Sequence, residues 1–71
     1  MKEMREDFLA YLINDLNFKK EECVSAWEKA QKHFPSYTLE NSAHRLALEV
    51  ITRDILRGDF RPELAEVEKI V

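Results

Sequence analysis

Turn-forming residues are scarce in this chain, which has one glycine and two prolines among its 71 residues. Tight β-hairpins depend on glycine and on Asn-Gly pairs, so this scarcity favours helices over strands. Hydrophobic residues make up 45% of the sequence and charged residues 35%, which is the balance of a folded globule rather than of a disordered chain. We therefore expect a single all-α domain over residues 1–71, because chains usually divide only at much greater length.

Apolar residues recur at helical spacing in the first half of the chain. The first stripe predicts a helix over residues 3–16, and Asn17 is expected to end it because asparagine tolerates the left-handed conformation that closes many helices. The second stripe predicts a helix over residues 20–33, which Pro35 stops because the residue before a proline is disfavoured in a helix. The two stripes consist of Phe8, Leu9, Leu12, Ile13 and Leu16, and of Cys23, Trp27, Ala30 and Phe34.

The third predicted helix has the widest apolar surface. It is expected to run from an N-cap at Thr38 to about Arg57, with Gly58 as its stop signal. Its apolar residues cover an arc of about 200°, so we expect it to contact more than one neighbour and to form the centre of the fold. These residues are Leu39, Ala43, Leu46, Ala47, Leu48, Val50, Ile51 and Ile55.

A short fourth helix is predicted to begin at Pro62, which suits the first position of a helix. Its apolar residues are Phe60, Leu64, Val67 and Val71, again at helical spacing. The expected architecture is a small bundle of four short helices, three main ones and a short C-terminal one.

Catalytic and cofactor motifs are weak or missing in this sequence. Cys23 is the only cysteine, which excludes an internal disulfide and a cysteine-rich zinc site. A thiol–imidazole pair of Cys23 with His33 or His44 is less favoured than a role for Cys23 as a small buried hydrophobe. Glu40 and His44 have a spacing that lets two ligands share an ion, but two ligands do not make a metal site. We expect no enzyme activity, no metal and no cofactor.

The charges are distributed unevenly over a chain whose net charge is −3. The chain has no dense positive stripe of the kind that binds nucleic-acid phosphates, so such binding is disfavoured. The third helix nevertheless carries Arg45, Arg53 and Arg57, and a small nucleic-acid-binding regulator of the helix-turn-helix type is the alternative function. A charged N-terminus without a long apolar run predicts a cytoplasmic protein with no membrane span.

Apolar side chains outside the main stripes indicate a second apolar seam. Tyr11 lies on a flank of the first helix, Leu48 and Ile55 lie at the edge of the third helix's arc, and Leu56 lies on its polar side. Either the short fourth helix or another chain could cover this seam. We interpret Tyr11, Leu48, Ile55 and Leu56 as a candidate partner contact, and we expect a non-enzymatic helical protein–protein interaction module, with a homodimer as the simplest assembly.

Two charged residues, Asp54 and Arg5, project into apolar arcs of their predicted helices. A covered carboxylate needs a partner, so an Asp54–Arg5 ion pair with a structural role is a hypothesis.

Residues 16–27 resemble part of the ubiquitin-associated domains. The sequence Leu16-Asn17-Phe18, followed by Glu21, Glu22, Ala26 and Trp27, is similar to the first loop and second helix of that family. The resemblance implies a three-helix bundle that binds ubiquitin through this loop. The chain differs from the family at Asn17, where glycine is usual, and has a longer stretch between Ala26 and the next helix. The predicted interaction module is based on the apolar seam and not on this loop.

Overall fold

The structure is a computed structural model that describes residues 4–60, within which every regular element is helical. Helix α1 spans Glu6–Ala10 and continues directly into a π-helical turn, Tyr11–Asp15. Helix α2 spans Lys20–His33, and helix α3 spans Ser42–Arg57. The prediction of an all-α chain with three main helices is confirmed for these residues. The short helix predicted from Pro62 lies outside them.

The first helix widens before it ends. The backbone N–H of Leu16 donates to the carbonyl of Tyr11 at 3.3 Å, and that of Phe18 donates to Leu12 at 3.1 Å, so both bonds reach back further than in an α-helix. Asn17 then adopts a positive φ of 63°. The predicted stop at Asn17 is confirmed, and its left-handed backbone turns the chain toward α2.

The ends of α2 and α3 test the predicted caps. The bounds predicted for α2 are confirmed, and the Glu22 carboxylate accepts the N–H of Lys19 at 3.0 Å where this helix begins. The predicted cap of α3 at Thr38 is wrong, because Asn41 takes that position and accepts the N–H groups of Ala43 at 2.9 Å and His44 at 3.2 Å. Both residue types can cap a helix, but asparagine ranks above threonine. The predicted stop at Gly58 is confirmed by its φ of 77°.

The core lies between α2 and α3. One buried cluster joins the two helices. It consists of Trp27 and Ala30 of α2, Phe34 at the C-cap of α2, and Leu48 of α3. Half-buried residues of α3, of the α2–α3 connection and from either end of the described residues pack around it: Ile51, Ile55, Tyr37, Leu39, Met4 and Phe60. The α2 stripe predicted from the sequence is confirmed, since Cys23 is also fully buried.

The buried side of α3 differs from the predicted one. Thr52 is fully buried and Leu48 is 1% exposed, whereas Leu46 is 60% exposed and Val50 40% exposed. The predicted arc is centred near Ala47, so the buried side is rotated from it by about 100° around the helix axis. The expectation that Leu46 and Val50 belong to the core is therefore wrong.

Two polar side chains on the inward side of α3 are compatible with burial because both are hydrogen-bonded. The hydroxyl of Thr52 donates to the Leu48 carbonyl at 2.7 Å, so it is satisfied without a partner from another helix. Glu49 is 4% exposed and is bonded to Arg5 beside α1. Because both polar groups have partners, their burial avoids the cost of an unsatisfied group, and α3 can turn Leu48 toward Trp27.

Candidate protein-binding surfaces

The side of α3 that faces away from the core is partly apolar. Leu46 and Val50 lie four residues apart, so their side chains are neighbours on the helix surface. Ala43 is exposed and Ala47 is half-buried on the same side. We call these four residues, Ala43, Leu46, Ala47 and Val50, the outer face of α3.

A shallow opening of about 330 Å³ adjoins the outer face of α3. Its walls combine apolar side chains with arginines: Arg5, Ser42, Ala43, Arg45, Leu46 and Glu49. We call it the arginine opening. Such a mixture can seat an apolar side chain while guanidinium groups bind nearby carboxylates.

A bidentate ion pair forms one wall of the arginine opening. Arg5 Nε donates to Glu49 Oε2 at 2.7 Å, and Arg5 Nη2 donates to Glu49 Oε1 at 2.9 Å. The hydrogen bond and the charge of Glu49 raise the pKa of the Arg5 guanidinium. The Glu49 side chain is 5% exposed, whereas that of Arg5 is 49% exposed, so Arg5 keeps one edge in water.

The hypothesis of an Asp54–Arg5 ion pair is wrong, because Arg5 is bonded to Glu49. The cation near Asp54 is instead that of Arg53, whose Nη2 lies 3.7 Å from Asp54 Oδ1. Met4 and Arg5 lie just before α1, where Met4 packs against the core cluster and Arg5 binds the inward-facing Glu49. Glu49 is therefore the buried carboxylate that needs a cation. The Asp54 side chain is 34% exposed and keeps contact with water.

A second groove, of about 400 Å³, lies between α2 and the end of α3. Its walls carry carboxylates beside apolar side chains: Glu21, Glu22, Ser25, Ala26, Lys29, Ile55 and Leu56. We call it the acidic groove. It shares no residue with the arginine opening.

The four residues predicted as a partner contact do not form one surface. Leu48 belongs to the core, so the expectation that it lies on an open seam is wrong. Ile55 and Leu56 are half-buried walls of the acidic groove, and Ile55 also packs against the core. Tyr11 is 37% exposed on the first helix, with its ring 6.3 Å from that of Phe8.

Sequence analysis missed Leu46 and Val50 as surface residues. The signal was present in part, because an apolar arc of about 200° is wider than one neighbouring helix covers, so some of its residues must stay exposed in a small bundle. The sequence does not show which edge of the arc remains open. That choice depends on tertiary contacts such as the one between Glu49 and Arg5.

Residues with possible catalytic chemistry are engaged in packing. Cys23 is fully buried, and burial raises the pKa of its thiol, which is the opposite of an activated nucleophile. The His44 ring stacks on Tyr37 at 4.6 Å, and its Nδ1 accepts the N–H of Thr38. The His33 ring lies 5.0 Å from that of Phe60. Among residues 4–60, no group of three or more His, Cys, Asp or Glu side chains is placed to hold a metal ion.

Within residues 4–60, every helix is too short or too polar to cross a membrane. Comparison of the whole chain with protein-family models, curated proteins and solved structures gives no significant match. Any functional conclusion therefore depends on the surfaces described above.

Proposed function

We propose that the protein is a small, non-enzymatic, cytoplasmic helical module that binds proteins through the outer face of α3. We propose further that it associates with itself, with a homodimer as the smallest assembly. The observation that supports this is the exposure of Leu46 and Val50, at 60% and 40%, next to each other on the largest helix of the described chain. Adjacent apolar side chains on one helix face are the anchors that helix-in-groove recognition uses.

Burial of the outer face of α3 in a protein contact would contribute favourably to the free energy of binding. Full burial of a leucine or valine side chain contributes about 1.5–3 kcal/mol, and Leu46 has more than half of that gain still available. A specific interface usually buries roughly 800 Å² on each partner, more than two side chains provide. The walls of an adjoining opening must therefore take part in the contact, and the arginine opening shares Leu46 and Ala43 with the outer face.

The test is sedimentation velocity over a wide range of protein concentrations. Self-association should increase the weight-average sedimentation coefficient of the unaltered protein with concentration. Leu46→Glu and Val50→Glu should each remove this increase, because a carboxylate would be buried in the contact. Ala10→Glu adds the same charge at an exposed position of α1 and should leave the association unchanged. A monomer at every concentration, or association that survives both α3 substitutions, would contradict the proposal.

A second candidate, a nucleic-acid-binding regulator, is favoured by the location of Arg45, Arg53 and Arg57 on one helix. Two of these arginines lie near carboxylates. Arg53 Nη2 is 3.7 Å from Asp54 Oδ1, and Arg57 Nε is 3.8 Å from Asp59 Oδ2. The nearby negative charges weaken the attraction of both arginines for phosphates. This candidate predicts binding to duplex DNA that weakens steeply with salt and falls in Arg53→Gln. Absence of binding at low salt would exclude it.

A further inference from the structure

The arginine opening and the acidic groove carry opposite charges. The arginine opening has two cationic side chains, Arg5 and Arg45, and one carboxylate, Glu49. The acidic groove has two carboxylates, Glu21 and Glu22, and one cationic side chain, Lys29. Each of them also contains larger apolar side chains, Leu46 in the opening and Ile55 and Leu56 in the groove. The two surfaces therefore complement each other in charge, and both have apolar parts.

A symmetric dimer would not use this complementarity. In a twofold contact through the outer face of α3, each arginine opening would lie close to its own copy, and like charges facing each other oppose association. A head-to-tail contact instead brings the arginine opening of one molecule to the acidic groove of another. Because the two surfaces share no residue, one molecule can use both at once.

We propose that a second copy of this chain docks head-to-tail, with Leu46 of one molecule seated against Leu56 in the acidic groove of the next. This inference rests on the proposed function, since it uses the same face of α3. Arg5 can contribute to the contact although it is bonded to Glu49. A guanidinium has five N–H donors, of which Glu49 accepts two, and the Arg5 side chain is 49% exposed. The remaining donors can bind Glu21 or Glu22 of the other copy.

Head-to-tail association has two physical consequences. Every added molecule presents one free opening or one free groove, so growth continues past a dimer unless a ring closes. The charged contact is also screened by salt, because the Debye length is about 10 Å at 0.1 M ionic strength. Assemblies should therefore grow with concentration and shrink as salt is added.

Mixing two variants tests this arrangement directly. Leu46→Glu blocks the opening and keeps the groove, whereas Glu21→Lys with Ser25→Lys reverses the charge of the groove and keeps the opening. All three positions are exposed, so the fold should be retained, and circular dichroism checks this. Each variant alone should associate at least about tenfold more weakly than the unaltered protein. An equimolar mixture should associate about as tightly as the unaltered protein, because the intact groove of one variant binds the intact opening of the other, as measured by sedimentation velocity.

The other outcomes separate this inference from the proposed function. If the groove variant alone associates as well as the unaltered protein while Leu46→Glu does not, the contact is symmetric and the head-to-tail arrangement is overturned, but the proposed function stands. If both variants are monomeric and the mixture also stays monomeric, the arrangement is again overturned. If the unaltered protein is monomeric at every concentration, both proposals fail. Val50→Glu can replace Leu46→Glu should the latter not fold, and Ala10→Glu is the charge control.

Discussion

The inward and outward sides of α3 each carry a leucine, but the two leucines have different environments. Leu48 is 1% exposed and Leu46 is 60% exposed, although they are two residues apart in the same helix. The inward side buries Thr52 and Glu49, while the outward side leaves Val50 in water. The comparison shows that hydrophobicity alone does not determine which side of a largely apolar helix is buried. The partners available to its polar residues decide as well.

The largest expected difference between the two sides is in thiol reactivity. A Leu46→Cys variant contains two thiols. The new thiol is exposed on the outward side of α3, and that of Cys23 in α2 is buried in the core. The new thiol should react with a disulfide reagent as fast as a small-molecule thiol. Cys23 should react at least about a hundredfold more slowly, because it must wait for the fold to open.

Burial also raises the pKa of Cys23, so the folded state favours the protonated thiol. This contribution to stability is complete below the ordinary thiol pKa of about 8.5 and is lost as pH rises through the higher value of the folded state. Rapid reaction of both thiols in the native protein would contradict the burial of Cys23.

The next largest effect should come from truncating the two leucines. Leu48→Ala is expected to lower the free energy of unfolding by about 2–5 kcal/mol, because it removes contacts with Trp27 and leaves a cavity. Leu46→Ala should change it by no more than about 0.5 kcal/mol. Urea unfolding followed by circular dichroism measures both. Equal losses would show that the two sides are not distinguished as described.

The ion pair at the border between the two sides should have an intermediate effect. Glu49→Gln keeps the shape of the side chain but removes the charge that holds Arg5, so stability should fall by less than in Leu48→Ala. Arg5→Gln should also destabilise the protein, because Glu49 is nearly buried and would lose its cation.

A double-mutant cycle isolates the interaction between these residues. The Arg5→Gln substitution should cost less when Glu49→Gln is already present than when it is made alone. Additive effects in the urea experiment would mean that the two residues do not interact in solution.

Among the buried side chains of α3, the smallest effect is expected for the hydroxyl of Thr52. Thr52→Val keeps the shape of the side chain and removes a donor whose acceptor is a carbonyl of its own helix. Loss of such a bond should change stability by about 1 kcal/mol or less. Thr52→Ala, which also leaves a gap, should cost more in the same urea experiment. A loss in Thr52→Val as large as that in Leu48→Ala would contradict the assignment of the hydroxyl to a single bond within its own helix.

The apolar pattern predicts the buried side of α2 but not that of α3. The narrow stripe on α2 from Cys23 to Phe34 can face only one direction, and Pro35 marks its end, so both its bounds and its buried residues follow from the pattern. The arc on α3 is too wide to choose a direction. The same difficulty affects the candidate site, since Leu48 was expected on a partner surface and lies in the core, whereas Leu46 was expected in the core and lies on the surface.

The sequence by itself determines that the regular elements within residues 4–60 are helical and where the first and third helical segments stop, because periodicity and stop residues such as Asn17 and Gly58 act within a few residues along the chain. It also determines the buried side of α2. Only the tertiary structure decided the orientation of α3 around its own axis. One contact that accompanies this orientation joins Arg5 and Glu49, which are 44 residues apart, and no local pattern encodes such a distant partner. The surface available for binding follows from the orientation of α3.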